Sequence, residues 1–444
     1  MLRPCCYSDI KNINHVQLKS YSNSAGTQRY FARRAEVLVL VEKNFQDVFH
    51  AAGFERIILP TFEATELFKR SVGEFTDIVD KQMYTFKDLG GNSVTLRPEG
   101  TAGAARAYIE HGMRTLPQPV KLYYWGPMYR YERPQAGRFR EFYQFGLELF
   151  GDDDPATDAA MIQSMMRYYQ KIGLKDLIVK INSLGTSKCR AKSVGALEKF
   201  LTPHKKDLCE DCKIRLKKNT LRVLDCKVAK CKGIVAEAGN ILLDSLDQES
   251  KKRFTKVLEY LDDMKVEYEL DSNLVRGLDY YTHTIFEVVI KGEDTSIGGG
   301  GRYDGLIKLL GGPDTPAIGY AGGVERTIDA LKQQTIMVPE TAKTDVFVVQ
   351  LGDRAKAKAI EIITSLEQAG LRVSSLLGKG NIQSQLGAAS QLNSLLAVII
   401  GDQEVHDKNV ILRDMQDRSQ ETVLDRNIVK MIIQKIEEKT AIKL

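Results

Sequence analysis

Residues 121–151, KLYYWGPMYRYERPQAGRFREFYQFGLELFG, decide the fold, because their pattern predicts two strands joined by a basic loop. Alternate positions of the second arm are apolar: Tyr143, Phe145, Leu147 and Leu149. The positions between them hold Gln144, Gly146 and Glu148. Since successive side chains of a strand point to opposite faces, one face is predicted to pack on a core and the other to be polar. Gly146 leaves a gap in the polar face where a small molecule can lie against the backbone.

The first arm and the loop carry charge. Arg130 and Glu132 are two residues apart and therefore share one face of an extended chain. The loop of residues 133–140 holds three arginines and one proline, which suits bidentate contacts with phosphate better than a simple turn. The alternative is a solvated hairpin whose outer face carries charge.

Composition is that of a globular protein with ample core. The 444 residues are 43% hydrophobic and 27% charged, which predicts two or three domains. The net charge of +5 permits a nucleic-acid partner without requiring one. No apolar run approaches the roughly 20 residues that cross a bilayer, which argues against a membrane role. Seven cysteines without a small secreted framework predict reduced thiols.

Residues 1–30 contain Lys, Arg, Ser and Asn with one acid, Asp9. An organellar transit peptide and a disordered tail share this composition. Because no Arg-rich amphipathic helix precedes Phe31, we favour a flexible tail and expect a cytoplasmic protein.

Periodicity predicts the next elements. An apolar stripe indicates a helix over residues 31–52, followed by a short buried strand over 56–59 and a further helix opening at 61–66. Another helix is predicted over 155–169, with Met161 and Met165 in the core. Residues 172–270 are predicted to alternate short strands with charged helices as an insertion. Residues 333–344 have the composition of a linker.

Beyond the linker, apolar runs predict strands over 346–350, 372–377, 397–400 and 410–413. Helices separate the first three runs, and a last helix is predicted over 426–437. Alternating units of this kind predict a three-layer α/β domain with a largely parallel sheet.

The string LRPEGTA, residues 96–102, follows a predicted strand at 93–96. Glu99 and Thr101 flank Gly100, and a carboxylate with a hydroxyl at this spacing can hold an α-ammonium group. The same residues also suit a turn that starts a helix.

The string LVRGLDYY, residues 274–281, precedes an alternating strand at 284–290. Arg276 can meet a phosphate or carboxylate, and the phenols of Tyr280 and Tyr281 can orient an imidazole. A tyrosine pair packed under a strand is the structural alternative.

Two glycine-rich strings follow. GGGGRYDG, residues 298–305, fits neither a Walker A loop nor a dinucleotide fingerprint, and predicts a strand end that a ligand or backbone approaches closely. In IGYAGGVER, residues 318–326, a helix is predicted from Val324 with Arg326 in its first turn, where anions are favoured. The alternative for Arg326 is a solvated side chain.

Cys209, Cys212, Cys226 and Cys231 form a CxxC pair followed by a CxxxxC pair. This spacing is compatible with a tetrahedral zinc site and also with reduced structural thiols. The six histidines show no paired metal-ligand spacing.

These strings together resemble the histidyl-tRNA synthetase family. Residues 121–151 are similar to motif 2 of class II aminoacyl-tRNA synthetases, and RYERPQAGRFREFYQFGLE, LRPEGTA and LVRGLDYY are similar to the forms in that family. The helix, strand and proline of residues 31–60 resemble motif 1, the dimer interface, and IGYAGGVER resembles motif 3.

The resemblance implies an α+β catalytic domain with an antiparallel sheet flanked by helices at residues 31–335, with the insertion at about 172–270. The tail of residues 1–30 would precede this domain. A C-terminal α/β three-layer anticodon-binding domain would occupy residues 344–444.

The resemblance also implies ligation of L-histidine to tRNA(His), with ATP and Mg²⁺, by a homodimer. Arg276 and Arg130 would be catalytic. The implied histidine-binding residues are Glu99, Gly100, Thr101, Arg130, Gln144, Glu148, Arg276, Tyr280 and Tyr281. The implied ATP-binding residues are Arg130, Glu132, Arg138 and Arg326. Gln135 and Arg140 would contact the tRNA acceptor end.

Two other functions compete with this interpretation. A synthetase-like regulatory subunit would bind histidine without catalysis, but such paralogues typically lack the C-terminal domain and several ATP-binding arginines, and this chain retains both. A class II synthetase for another amino acid would have no use for LVRGLDYY. The class I signatures HIGH and KMSKS are absent from the sequence.

Overall fold

The computed structural model describes residues 24–28, 30, 33–73, 76–135, 137–293, 295–336, 344–378 and 380–441. The chain divides into two compact units, Met1–Met337 and Val338–Leu444. Most of the predicted tail of residues 1–30, and residues 337–343 of the predicted linker, lie outside the described residues. Within the described residues, no helix has both the length and the apolar character needed to span a membrane.

The first unit contains eleven α-helices and eleven strands in its described part, besides one π-helix and two short 3-10 helices. Its helices are α1 (Arg33–Ala51), α2 (Thr65–Val72), α3 (Thr101–Glu110), α4 (Pro155–Lys171), α5 (Ser187–Leu201), α6 (Glu210–Lys218), α7 (Ala229–Ala236), α8 (Ile241–Asp244), α9 (Gln248–Asp263), α10 (Leu306–Leu309) and α11 (Val324–Gln333). Its strands are β1 (Glu55–Arg56), β2 (Phe62–Ala64), β3 (Tyr84–Lys87), β4 (Ser93–Leu96), β5 (Val120–Tyr129), β6 (Glu141–Phe150), β7 (Leu177–Ser183), β8 (Tyr268–Leu270), β9 (Thr282–Ile290), β10 (Ser296–Arg302) and β11 (Ala317–Gly323).

The main sheet has eight strands in the order β1-β5-β6-β11-β10-β9-β7-β8. All of its inner pairs are antiparallel, and only the edge pairs β1–β5 and β7–β8 are parallel. A smaller antiparallel sheet has the order β2-β4-β3. The predicted antiparallel sheet with flanking helices is therefore confirmed.

One face of the hairpin β5–β6 packs as its alternation predicts, but the opposite face, with Gly146 and Glu148, is buried as well. Phe145 and Leu147 are fully buried, and the Phe145 ring lies 4.7 Å from that of Phe45 in α1 and 5.3 Å from that of Tyr168 in α4. Burying aromatic and aliphatic side chains of this size is the main favourable term in the core. Met161 and Met165 of α4 are buried in the same core, as predicted.

Two short segments before the hairpin differ from expectation. Only Glu55–Arg56 forms a strand where a buried strand was predicted over residues 56–59, and Ile58 is 84% exposed. The run that was expected to open a helix at residue 61 instead forms β2, and α2 begins at Thr65. β2 is extended because it pairs with β4, a partner about 30 residues away that local pattern does not reveal.

The predicted insertion at residues 172–270 is largely helical. Its first and last strands, β7 and β8, belong to the main sheet, and α5 to α9 lie between them. The predicted alternation of strands and helices is wrong for residues 184–267, all of which the structure describes without a strand. In α9, Phe254, Val257 and Leu261 are buried at helical spacing.

The second unit has five strands and four α-helices in its described part, besides one short 3-10 helix. The strands are β12 (Val346–Leu351), β13 (Val373–Ser375), β14 (Leu396–Gly401), β15 (Asn409–Asp414) and β16 (Gln420–Leu424). The helices are α12 (Asp353–Gln368), α13 (Ile382–Gln391), α14 (Asp402–Asp407) and α15 (Ile428–Ala441).

This unit has three layers, as predicted. Val346 and Val348 of β12 pack in one core with residues of α12 and α15, whereas Phe347 and Val349 pack with Ala389 of α13 on the other face. The order is β13-β12-β14-β15-β16, with parallel pairs up to β14 and antiparallel pairs beyond it. The sheet is therefore mixed rather than largely parallel.

Candidate active site

A cavity of about 190 Å³ lies where β6, β9, β10 and β11 meet the residues that follow β5 and those that start α3. Predicted site residues from every motif line it: Glu99, Thr101, Arg130, Glu132, Arg138, Gln144, Arg276, Tyr280, Tyr281 and Arg326. Four predicted site residues do not line it: Gly100, Gln135, Arg140 and Glu148. Segments far apart in sequence thus converge on one site.

Glu99 is fixed by the start of α3. Its carboxylate accepts hydrogen bonds from the backbone N–H groups of Thr101, at 2.6 Å, and Ala102, at 2.9 Å. Burial raises the pKa of Glu99, and these two bonds oppose that rise. Each carboxylate oxygen keeps a further lone pair for a cationic ligand in the cavity.

Glu148 lies beneath the cavity wall and is fully buried. The Thr101 hydroxyl donates to its Oε1 at 2.7 Å, and the Tyr303 hydroxyl donates to its Oε2. Burial raises the pKa of Glu148 to about 8, although both donors favour the ionised form. A carboxyl group that titrates this close to neutral pH is characteristic of a functional site.

Tyrosine rings surround this carboxyl group. The rings of Tyr280 and Tyr281 are 4.7 Å apart, and the Tyr303 ring lies 5.4 Å from that of Tyr280. Tyr124 is also buried, and its hydroxyl finds no hydrogen-bond partner among the described residues. We call six of these residues the carboxylate–tyrosine cluster: Thr101, Tyr124, Glu148, Tyr280, Tyr281 and Tyr303.

The predicted gap at Gly146 is wrong. Tyr124 lies opposite Gly146 in the hairpin register, and a Cβ at either Gly146 or Gly100 would overlap the Tyr124 ring. The two glycines therefore make room for a tyrosine side chain rather than for a ligand.

Gln144 lines the cavity from β6. Its Oε1 atom is buried and has no hydrogen-bond partner among the described residues. A buried acceptor without a partner is costly, so a ligand that donates a hydrogen bond here would be favoured.

Arg276 lines the cavity and is held there by Glu287 of β9. The two side chains form an ion pair, and the Arg276 guanidinium lies over Gly299, where a Cβ would overlap it. Burial lowers the pKa of Arg276, but Glu287 and the neighbouring tyrosines outweigh it and raise that pKa above the ordinary value. The guanidinium is thus charged and positioned before any ligand binds.

Arg130 and Arg326 contact backbone carbonyls. Arg130 donates to the Pro98 carbonyl at 2.8 Å, and its guanidinium lies 5.2 Å from the Phe142 ring centre. Arg326, in the first turn of α11 as predicted, donates to the Ser296 carbonyl at 2.9 Å. Burial lowers the pKa of both, and for Arg326 the positive charges of Arg138 and Arg130 lower it further. Burial thus disfavours the charged forms of both arginines, and an anion in the cavity would offset this free-energy cost.

The loop between β5 and β6 carries the remaining predicted residues. Arg138 pairs with Glu132 at 3.5 Å, and Gln135 bridges to Arg138 through the backbone. The Arg140 guanidinium lies 4.1 Å from the Tyr131 ring centre and donates to the Glu132 carbonyl. Gln135 and Arg140 thus lie on the loop, outside the cavity lining. We call the four arginines that line the cavity the arginine cluster: Arg130, Arg138, Arg276 and Arg326.

The glycine run at residues 298–301 lies within β10, not at a strand end as predicted. The predicted close approaches are present there, because a Cβ at Gly298 would overlap the Tyr320 hydroxyl and one at Gly300 would overlap the Gly319 carbonyl. Gly298 and Gly299 also line the cavity.

Sequence reasoning missed several functional positions. Glu287 is the single acid of its apolar strand, and that contrast was a signal for it. Tyr303 lies inside the quoted glycine-rich string but was not singled out, and its role depends on tertiary contact with Glu148. Phe142 and Tyr124 gave no local signal.

Oxygen ligands for a divalent cation are present in the cavity lining. Glu132 and Glu287 both contribute carboxylates beside the arginine cluster. Carboxylate oxygens together with a ligand's phosphates are the donors that Mg²⁺ prefers, so the residues present fit that ion.

Comparison with known proteins gives a consistent result. A family model described as histidyl-tRNA synthetase matches residues 26–327, and one described as anticodon binding domain matches residues 345–435. The histidine–tRNA ligase of Pelotomaculum thermopropionicum is 44% identical over 413 residues, which cover 93% of this chain and 97% of that relative. That of Desulforamulus reducens is 44% identical over 410 residues, which cover 92% and 97%. The crystal structure of apo S. aureus histidyl-tRNA synthetase has a TM-score of 0.78 at 36% identity, covering 93% of this chain and 100% of that one.

Proposed function

This chain belongs to the histidyl-tRNA synthetase family, and from that premise we propose how its cavity carries out the reaction. Its function is histidine–tRNA ligation. A carboxylate oxygen of L-histidine attacks the α-phosphorus of ATP, pyrophosphate leaves, and histidyl-adenylate forms. A ribose hydroxyl at the 3′ end of tRNA(His) then attacks the acyl carbon and loses its proton to solvent, and AMP leaves with the electron pair of the broken C–O bond.

The carboxylate–tyrosine cluster selects the amino acid together with Glu99 and Gln144. Glu99, Thr101 and Gln144 hold the α-ammonium group. Glu99 presents a carboxylate acceptor and Gln144 an amide acceptor at the cavity, and the hydroxyl of Thr101 is fixed by its hydrogen bond to Glu148. Tyr280, Tyr281 and Glu148 read the imidazole. Because Glu148 lies under the wall, it acts through the Thr101 and Tyr303 hydroxyls that it orients. Gly100 contributes space for Tyr124.

The arginine cluster binds ATP. Arg130 and Arg276 stabilise charge that develops at the α-phosphate, and Arg138, Arg326 and Glu132 hold the rest of the nucleotide. Preorganised donors aimed at developing charge are the largest single term in many enzymes, and the Glu287 contact with Arg276 supplies that preorganisation. Mg²⁺ held by the phosphates with Glu132 and Glu287 would shield phosphate charge.

The hairpin loop and the second unit serve tRNA. Gln135 and Arg140 lie on the loop beside the cavity, where the acceptor end must arrive to meet the adenylate. The unit at residues 344–444 takes the anticodon, which its match to an anticodon-binding family model supports.

A homodimer is supported by exposed apolar side chains around the residues that follow α1. Ile58 is 84% exposed and Phe62 is 58% exposed. Residues 31–60 resemble motif 1, the dimer interface of class II synthetases, and a partner subunit at this surface would cover both side chains. The bacterial relatives support a cytoplasmic location.

The main observation behind this mechanism is that the residues proposed to bind histidine and those proposed to bind ATP line one cavity. Amino-acid-dependent ATP–pyrophosphate exchange tests the mechanism. We expect exchange with L-histidine to exceed exchange with each of the other nineteen amino acids. Exchange with none would leave a regulatory subunit, and exchange chiefly with another amino acid would assign a different specificity. Either outcome would overturn the proposal.

A further inference from the structure

Four cysteines of the helical insertion bring their sulfur atoms together, although they come from three separate elements. Cys209 and Cys212 lie at the start of α6, Cys226 follows a short 3-10 turn at Thr220–Val223, and Cys231 lies in α7. All four Sγ atoms lie within 4.8 Å of one another. The catalytic cavity described above does not use these groups.

The spacing of the sulfurs fits a single tetrahedral ion. With a Zn–S bond of about 2.3 Å, the sulfurs at the corners of a tetrahedron are about 3.8 Å apart. The Sγ atoms of Cys209 and Cys226 are 3.8 Å apart. An iron–sulfur cluster attaches its thiolates to different iron atoms and so needs them farther apart than this group allows.

The surroundings of the sulfurs are those of a closed structural site. Cys212, Cys226 and Cys231 are buried in a core that also contains Leu216 and Val223. The backbone N–H of Cys209 donates to the Cys231 Sγ at 3.2 Å, the kind of bond that stabilises a metal-bound thiolate. With all four positions supplied by cysteine and little solvent access, no coordination position is open to a substrate.

We propose that Cys209, Cys212, Cys226 and Cys231 bind one structural Zn²⁺ ion. Four thiolates form the tetrahedral sulfur set that zinc prefers.

The ion would also support the histidine-specific segment. Between the two cysteine pairs, Asn219 donates to the Asp279 carboxylate at 2.9 Å, and Arg222 pairs with Asp77 at 2.9 Å. Asp279 belongs to the segment that carries Arg276 and Tyr280. A zinc ion bound at both ends of residues 212–226 would therefore keep Asn219 in contact with the segment of residues 274–281.

Metal analysis of the full-length protein, purified without added metal or a polyhistidine tag, tests the site. Inductively coupled plasma mass spectrometry should find one zinc per chain. Cys212→Ser and Cys231→Ser should lose that zinc, whereas Cys189→Ser should keep it, because Cys189 contacts Asp247 and Ser250 instead of the four. Wild-type protein without zinc, or with one iron per chain in its place, would overturn the proposal.

Two measurements on the wild-type protein keep the test valid if the serine variants do not fold. Replacing the zinc with Co²⁺ should give the intense thiolate-to-cobalt absorption and the visible bands of a tetrahedral site. Thiol titration after denaturation without reductant should find all seven cysteines reduced. Octahedral cobalt spectra, or a loss of thiols to disulfides among these four, would contradict the site.

The link to catalysis rests on the proposed function and has its own readout. Removing zinc should raise KM for histidine in pyrophosphate exchange several-fold while KM for ATP changes less, and added Zn²⁺ should restore both. If zinc is present but its removal leaves KM for histidine unchanged, the supporting role is wrong while the metal site and the proposed function stand.

Discussion

The carboxylate–tyrosine cluster and the arginine cluster meet at one cavity but satisfy their polar groups in opposite ways. Thr101, Tyr280 and Tyr281 of the first cluster line that cavity, whereas Tyr124, Glu148 and Tyr303 do not. In the first, Thr101 and Tyr303 both donate to the buried Glu148, so most of the polarity is paired internally. In the second, Arg130 and Arg326 contact backbone carbonyls while burial lowers their pKa. Under the proposed function, the first is a preformed surface that reads a small ligand, and the second holds positive charge whose burial an anionic ligand would offset.

The largest effect is expected where the two clusters meet, at Arg276. Arg276→Ala should lower the rate of histidine-dependent pyrophosphate exchange by about 10²–10³-fold, since it removes a preorganised donor from developing charge. The circular dichroism spectrum should stay that of the wild type.

A matched arginine variant separates this effect from loss of charge in general. Arg354→Ala, at an exposed position of α12, should exchange at the wild-type rate. Near-normal exchange by Arg276→Ala, or an equal loss in both variants, would remove the catalytic role from Arg276.

The next effect concerns the packing that holds the tyrosines. Gly146→Ala should destabilise the first unit by about 1–3 kcal/mol, because the added methyl group overlaps the Tyr124 ring and forces it to move. Urea unfolding followed by the fluorescence of Trp125, the single tryptophan, measures this.

Gly195→Ala provides the control for that substitution. A Cβ at Gly195 meets nothing within 4 Å, and the residue lies inside α5, so alanine should stabilise the protein by up to about 1 kcal/mol. A Gly146→Ala variant as stable as the wild type would show that Tyr124 does not fill that space.

A smaller effect is expected from the burial of Glu148, which should make the free energy of unfolding depend on pH. Its folded pKa of about 8 lies above the ordinary value of 4.5, so between these values the native state holds a proton that the unfolded state has released. Stability should therefore fall as pH rises through this window, by up to about 1.4 kcal/mol per pH unit from this group.

Glu148→Gln removes that contribution. Between pH 6.0 and 7.5, the wild type should lose up to about 2 kcal/mol more unfolding free energy than the variant. Glu367→Gln, at an exposed position of α12, should keep the wild-type dependence. Parallel pH profiles for wild type and Glu148→Gln would mean that Glu148 is ionised throughout.

Local pattern predicted the long elements, and local pattern together with the family resemblance predicted most of the charged side chains that line the cavity. The alternation of β6 gave one of its two buried faces correctly, and Arg326 lies in the first turn of α11 as its glycine pair predicted. These features depend on neighbours within a few residues, which a sequence displays directly.

Features that depend on distant partners could not be predicted in this way. The gap at Gly146 was assigned to a ligand because sequence does not show that Tyr124 lies across the hairpin. β16 was missed because four of its five residues are exposed, so no apolar alternation marks it. Tyr303 and Glu287 acquire their roles only through contacts with Glu148 and Arg276.

The division between the two clusters is tested most directly by calorimetric titration of L-histidine and ATP, each alone, into wild type, Tyr303→Phe and Arg326→Ala. Tyr303→Phe should weaken histidine binding about tenfold, because a hydrogen bond to a buried carboxyl group is lost, and should leave ATP binding unchanged. Arg326→Ala should weaken ATP binding and leave histidine binding unchanged. Equal weakening of both ligands in either variant, or the reverse pattern, would contradict the account.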